Sequence, residues 1–88
     1  MSAATKITLK RDQAYDLYIS LVLYGRAGKF NAYLNDNPSW DSRIETYQMC
    51  RECGILHYTV NLANGDKVVL QEEDTITFVA TDGRAIIW

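Results

Sequence analysis

The sequence predicts an α+β domain with a short N-terminal strand, two main helices plus a short helix, and a C-terminal four-stranded antiparallel β-meander. Three observations carry that expectation. Apolar residues recur at helical spacing between Asp12 and Tyr24 and again between Trp40 and Cys50. From Ile55 onward the period drops to two. Asn64-Gly65 and Asp82-Gly83 then punctuate that last stretch at places where hairpins turn. The 88 residues make one domain, residues 1–88, with residues 1–5 expected to stay outside its ordered part.

The first element is a strand over residues 6–10, where Ile7 and Leu9 alternate with Lys6, Thr8 and Lys10. Asp12 suits the cap of the first helix, whose inner face is Ala14, Leu17, Tyr18, Leu21 and Tyr24. Its other side carries Tyr15, Ile19, Val22 and Leu23, so the helix is apolar nearly all round and asks for cover on two sides. Gly25 and Gly28 end it. A short turn of helix holds Phe30, Tyr33 and Leu34 before Asn35-Asp36-Asn37 breaks the pattern.

Asn37 and Pro38 then read as the cap and first residue of the second main helix, with Trp40, Ile44, Tyr47 and Cys50 on one face and Gly54 as its stop. In the first hairpin of the meander, a three-residue loop over Ala63-Asn64-Gly65 sets Val60 opposite Val68 and Tyr58 opposite Leu70 on the core face. A strand with Ile76, Phe78 and Ala80 inward follows the acidic turn Glu72-Glu73-Asp74. Asp82-Gly83 sends the chain back as Ala85–Trp88, with Phe78 facing Ile86 and Ile76 facing Trp88.

Composition narrows the function classes. Hydrophobic residues at 48% and charged residues at 23% suit a packed core rather than a disordered tail. Nine Lys and Arg against eleven Asp and Glu leave a net charge of -2, with no basic excess to follow a phosphate backbone. The longest apolar run, Ile19–Tyr24, is far short of the roughly 20 residues a membrane span needs. Met1–Thr5 has neither the basic start nor the apolar stretch of a signal peptide, and two cysteines are too few for a secreted disulfide scaffold. A cytoplasmic location without membrane contact is the expectation.

Cys50-Arg51-Glu52-Cys53 with His57 four residues on offers three of the four ligands of a structural zinc site. A fourth would have to come from Glu72 or a second chain. The competing reading packs Cys50 in the core and leaves His57 on the polar sheet face. As a redox pair the cysteines are badly placed, because the end of a helix raises a thiol pKa. Gly25-Arg26-Ala27-Gly28-Lys29 lacks the leading glycine, the final Ser or Thr and the preceding strand of a phosphate-binding loop. A single anion held by Arg26 and Lys29 at the next helix start is the form that survives. No nucleophile, base and orienting group can be assembled from local sequence, so neither an enzyme nor a cofactor is expected.

What remains is apolar surface in excess of what one sheet and these helices hide, and such an excess marks a protein contact. The leading expectation is therefore a small non-catalytic protein-binding domain of the inhibitor or adaptor type, such as a phage or mobile-element accessory protein that blocks a host factor. Its contacts would be Val69, Val79 and Ile87 on the outer sheet face and Tyr24, Arg26 and Phe30 at the helix corner. One alternative is a small-ligand, nucleotide or anion binder at a homodimer seam, through Arg26, Lys29 and tyrosines. The others are a zinc-binding module and a nucleic-acid module, the latter through Arg26, Lys29 and Tyr33.

Overall fold

The computed structural model describes residues 5–84, apart from the Ala27 side chain. Its elements are β1 (Lys6–Lys10), α1 (Arg11–Leu23), β2 (Phe30–Leu34), β3 (Arg43–Glu52), β4 (Ile55–Leu62), β5 (Lys67–Val69) and β6 (Thr75–Ala80), with single 3-10 turns at Ala27–Lys29 and Trp40–Ser42. The strands form one antiparallel sheet in the order β1-β6-β2-β3-β4-β5, curled into a half-barrel. The helix α1 packs against β1, β3 and β6 and buries Ala14, Leu17 and Leu21 on the sheet's inner face. Thr5 is already tied in, its carbonyl accepting from the Ala80 N–H at 2.8 Å.

This architecture corrects the α+β arrangement of two main helices, a short helix and a four-stranded meander. The segment read as the second main helix is the strand β3, and a bulge explains the misreading. β3 pairs with β4 from Glu52↔Ile55 to Thr46↔Asn61, and the register then shifts so that Ile44 faces Leu62. Glu45 is the extra residue. A bulge spaces the flanking inward side chains by three instead of two, and Ile44 and Tyr47 are both buried at that separation. Three is also a helical interval. The helix-start signal serves only one turn, and its cap is Ser39 rather than Asn37. The Ser39 N–H donates to Ser42 Oγ at 3.1 Å, and that hydroxyl reaches the Asn37 carbonyl at 2.8 Å. Arg43 then leaves in extended conformation, and the β-branched and aromatic run Ile44, Thr46 and Tyr47 continues as a strand.

Gly54 is likewise no helix stop. Cys53 and Gly54 have φ of +52° and +77° and join Glu52 to Ile55, the two-residue hairpin turn that requires positive φ at both central positions. Phe30, Tyr33 and Leu34, read as a helical turn, belong to β2, which pairs with β6 from Phe30↔Ala80 to Leu34↔Ile76.

The third correction concerns β6. It lies between β1 and β2, with Phe78 facing Ile7 on one side and Ala32 on the other. Both its edges are taken, so a meander from β5 through β6 to a returning strand is excluded. Ala85–Trp88, with its expected pairings through Ile86 and Trp88, lies outside the described residues. The hairpin of β4 and β5 does pair Val60 with Val68, and the Leu62 N–H bonds the Asp66 carbonyl at 2.8 Å around the loop.

At the end of α1, Gly25 has φ +69° and follows the last helical turn. The Arg26 N–H reaches back to the Leu21 carbonyl at 2.7 Å and the Gly25 N–H to the Val22 carbonyl at 3.1 Å, the double bond of a Schellman cap. On the outer face, Thr77 is fully buried beneath the turn that follows β2. Its hydroxyl donates to the Asn35 carbonyl at 2.8 Å, and it lies 2.9 Å from Thr8 Oγ1, which reaches Asp36 Oδ1 at 3.0 Å. Two hydroxyl protons are shared among three contacts, so one of the three is without a proton at any moment. Thr77→Val keeps the shape but leaves the Asn35 carbonyl without this donor, and about 1–3 kcal/mol of stability should go with it. A lower urea midpoint at unchanged slope would report the loss, and an unchanged midpoint would show that this turn does not hold the outer face.

Candidate functional site

Among the described residues, the strand β3 has a neighbour along its whole length on one side only. On the other side β2 meets it at Ala32↔Ile44 and Tyr33↔Arg43 and nowhere else. The Glu45 bulge then carries β3 away from β2, and Thr46–Glu52 has no described strand beside it. The direction of its main-chain groups follows from the next strand pair. The Leu70 N–H donates to the Tyr58 carbonyl at 2.8 Å, so Tyr58 turns its main-chain groups toward β5. Tyr58 faces Met49, Val60 faces Tyr47 and Leu56 faces Arg51. Antiparallel strands alternate bonded and non-bonded pairs, so Tyr47, Met49 and Arg51 direct their N–H and C=O groups away from β4, toward the open edge.

Where β2 and β3 part, a cleft of about 420 Å³ opens beside α1. Tyr18, Leu21, Phe30, Ile44 and Phe78 give it apolar walls, and Asn31, Arg43 and Glu45 add polar groups. Arg43 lies with its guanidinium carbon 5.4 Å from the centre of the Trp40 ring, a cation–π arrangement. Trp40 is itself well exposed. The only ion pair among the described residues joins Arg84 and Asp82 at 3.9 Å. Arg43, Glu45, Arg51 and Glu52 therefore have no described ionic partner.

Four tyrosines fix α1 over β3 and β4. Tyr15 lies 5.3 Å from Tyr47 and 5.5 Å from Tyr58 between ring centres, and Tyr18 lies 5.7 Å from Tyr47. The Tyr47 hydroxyl donates to the Arg11 carbonyl, and Arg11 Nη1 donates to the Leu70 carbonyl at 2.8 Å. Burial, followed by the neighbouring Tyr58 and Asp12, pushes the Tyr47 phenol far above its ordinary range. Burial, followed by Asp12 and Asp16, raises Tyr58. Both phenols stay protonated at neutral pH, and the Tyr47 hydroxyl ties the start of α1 to the sheet through the Arg11 carbonyl.

The residues singled out in the sequence are scattered by this fold. Val69 is half exposed on β5 and Val79 partly buried on β6, both on the outer face, but β2, β3 and β4 separate the two strands. Polar Tyr33, Thr46, Gln48 and Asn61 stand on the same face between them, so no continuous apolar patch joins them. Ile87 lies outside the described residues. Tyr24 is highly exposed at the end of α1 beside exposed Val22 and Leu23, whereas Phe30 is in the core.

Arg26 stacks its guanidinium 4.9 Å from the Phe30 ring centre, and its Nη2 is buried with no described hydrogen-bond partner. Lys29 is exposed and ends a single 3-10 turn, too short to present a helix dipole to an anion. Cys50 and His57 face each other across β3 and β4, and Cys53 stands at the hairpin tip, with both thiols free and exposed. Among the described residues no three His, Cys, Asp or Glu side chains come together to hold a metal. No described helix is long and apolar enough to cross a membrane.

No known protein family matches the chain, and neither a curated protein nor a solved structure matches it.

Sequence reasoning missed Glu45, Tyr47, Met49 and Arg51 as a set. One signal was available: the run from Thr46 to Glu52 contains neither proline nor lysine, the usual guards of a sheet edge.

Proposed function

We propose that this chain is a non-catalytic protein-binding domain that accepts an extended segment of a partner protein as an added strand along β3. The observation that carries the reading is the open edge from Thr46 to Glu52, which leaves main-chain donors and acceptors at Tyr47, Met49 and Arg51 free of any described strand. Main-chain pairing supplies affinity in this mode, and pockets for alternate side chains supply selectivity. The cleft at the foot of the edge supports the second part, because a strand laid along β3 toward Glu45 brings its end to Tyr18, Ile44 and Phe30. Met49 is half exposed and adds an adaptable apolar contact. An inhibitor or adaptor works in this way when the strand it captures is one its partner needs elsewhere.

The cleft also supports a second reading. Its volume, about 420 Å³, falls among those of small-ligand sites, and its walls mix apolar groups with Asn31, Arg43 and Glu45. A small amphipathic molecule would then sit there without touching the open edge.

Selection from a library of random extended peptides, followed by amide shift mapping of the winners, separates the two. Strand addition expects shifts and slowed amide exchange at Tyr47, Met49 and Arg51, and selected peptides that alternate apolar and polar residues. Shifts confined to the cleft residues, with unchanged exchange along β3, would favour the small ligand. Peptides that map to the outer face near Val69 would sink both.

A further inference from the structure

We infer that the end of the domain where α1 stops docks on the surface of an anionic lipid bilayer, with Leu23 and Tyr24 seated among the headgroups and lysine and arginine side chains beside them. The contact goes beyond the strand-addition reading and does not depend on it. It is peripheral, since no described helix is long and apolar enough to cross a membrane.

The apolar part is the helix end. Val22, Leu23 and Tyr24 are all exposed, Leu23 by 77% and Tyr24 by 81%. Consecutive helical residues project about 100° apart, so these three wrap the end of α1 as a convex knob rather than a flat patch. A protein partner would need a socket cut to match. The interfacial layer of a bilayer gives way around such a projection, and a ring that carries a hydroxyl suits its boundary. The main chain is prepared for the move as well. The carbonyls of Ser20, Leu21 and Val22 accept from the N–H groups of Tyr24, Arg26 and Gly25 at 3.0, 2.7 and 3.1 Å. Groups already bonded within the chain can leave water without the cost of an open helix end.

The charged part names the lipid. Thr5 with Ala80, and Lys29 with Thr81, share main-chain hydrogen bonds of 2.8 Å, and Lys6 faces Val79. Phe30 faces Ala80 and carries the Arg26 guanidinium over its ring. Lys6, Arg26, Lys29 and Arg84 therefore stand at the same end as the knob, with Asp82 as the one acid among the described residues there. Asp36 bonds Thr8, two residues farther along β1, and the cleft beside Gly28 adds Glu45 and Arg43, which cancel.

Four bases against one acid leave +3 at this end, and the remaining five bases against ten acids leave -5, which together make the chain's -2. The overall charge hides the asymmetry, because the four bases come from separate stretches and only strand order brings them together. Each Lys or Arg near an anionic leaflet strengthens binding by about fivefold. A nucleic acid would use the same bases, but it has no use for exposed Val22 and Leu23.

Vesicle flotation with the full chain tests this. Vesicles of phosphatidylcholine and phosphatidylserine in equal parts should carry the chain up the gradient, and pure phosphatidylcholine should bind it at least about tenfold more weakly. Added salt should release it. Leu23→Ser with Tyr24→Ser keeps every charge and should cut binding by roughly tenfold or more. Lys6→Glu with Lys29→Glu takes the end from +3 to -1 and should abolish flotation with the anionic vesicles. All four positions are exposed, so both variants should keep the wild-type urea midpoint.

A chain that stays at the bottom of the gradient with the anionic vesicles at low salt overturns the proposal, as does equal binding to pure phosphatidylcholine. So does a folded serine or glutamate pair that floats as well as the wild type. A chain that ignores vesicles yet binds a single-stranded oligonucleotide, undiminished by the serine pair, would assign these bases to a phosphate backbone and overturn the docking.

Discussion

Replacing Phe78 by alanine should cost about 3–5 kcal/mol, the range for removing a buried aromatic ring. Phe78 is only 1% exposed, on the strand flanked by both β1 and β2, with Ile7 and Ala32 as its cross-strand neighbours. Three strands and α1 converge on this ring, and the sheet cannot collapse into the space left behind without shifting all of them. A domain of this size has a total stability of about 5–15 kcal/mol, so the variant should be destabilised severely or unfolded at 37 °C. Chemical denaturation checks it. A loss below about 1 kcal/mol would mean that the core is centred elsewhere. Phe78 also lines the cleft, so a variant that stays folded should bind cleft-directed peptides more weakly.

The second large effect is alkaline unfolding. Tyr47 and Tyr58 both have phenols raised by burial above the ordinary value of 10.0. Below pH 10 the groups are protonated in folded and unfolded chains alike, and their contribution to stability is fully present. Above pH 10 the unfolded chain loses those protons while the folded chain keeps them, so stability falls as pH climbs toward the folded-state values. Each unit of separation withdraws about 1.4 kcal/mol per tyrosine. Thermal unfolding followed from pH 8 to 11.5 should therefore show a midpoint that is flat below pH 10 and drops steeply beyond it. Tyr47→Phe should make the drop shallower while lowering stability at neutral pH by about 1 kcal/mol, through loss of the bond to the Arg11 carbonyl. A midpoint independent of pH up to 11.5 would mean that these hydroxyls are hydrated in the folded protein.

How far the sequence could be read depended on whether the deciding contact was local. The helix α1, the alternation of β1, and the hairpin of β4 and β5 with Val60 opposite Val68 all rest on neighbours in the chain, and periodicity reported them. Ile44 and Tyr47 misled because one inserted residue, Glu45, turns a strand's interval of two into three, and no local rule separates that from a helix turn. The place of β6 between β1 and β2 depends on contacts about seventy residues apart, such as Lys6 with Val79. Sequence pattern put Val69 and Val79 on one face correctly but had no means of spacing their strands. For the same reason the lack of proline and lysine in Thr46–Glu52 could not by itself reveal the open edge: an edge is defined by which strands are absent beside it, and strand order is a property of the whole sheet. The exposed apolar side chains lie at separate places rather than in one patch: the end of α1, Trp40, Met49, and Ile55 with Val69.

The insertion of β6 between the first two strands has a consequence for biosynthesis. While the ribosome is still making β3, β4 and β5, the nascent β1 and β2 have no strand between them, and Phe78, the most buried aromatic ring among the described residues, has yet to be translated. The hairpins of β3 with β4, joined at Cys53-Gly54, and of β4 with β5 can zip up early from neighbouring residues. The rest must wait for the late strand to thread into place. Such long-range closure is slow, and in the interval the emerging chain carries unpaired apolar strands for a chaperone to shield.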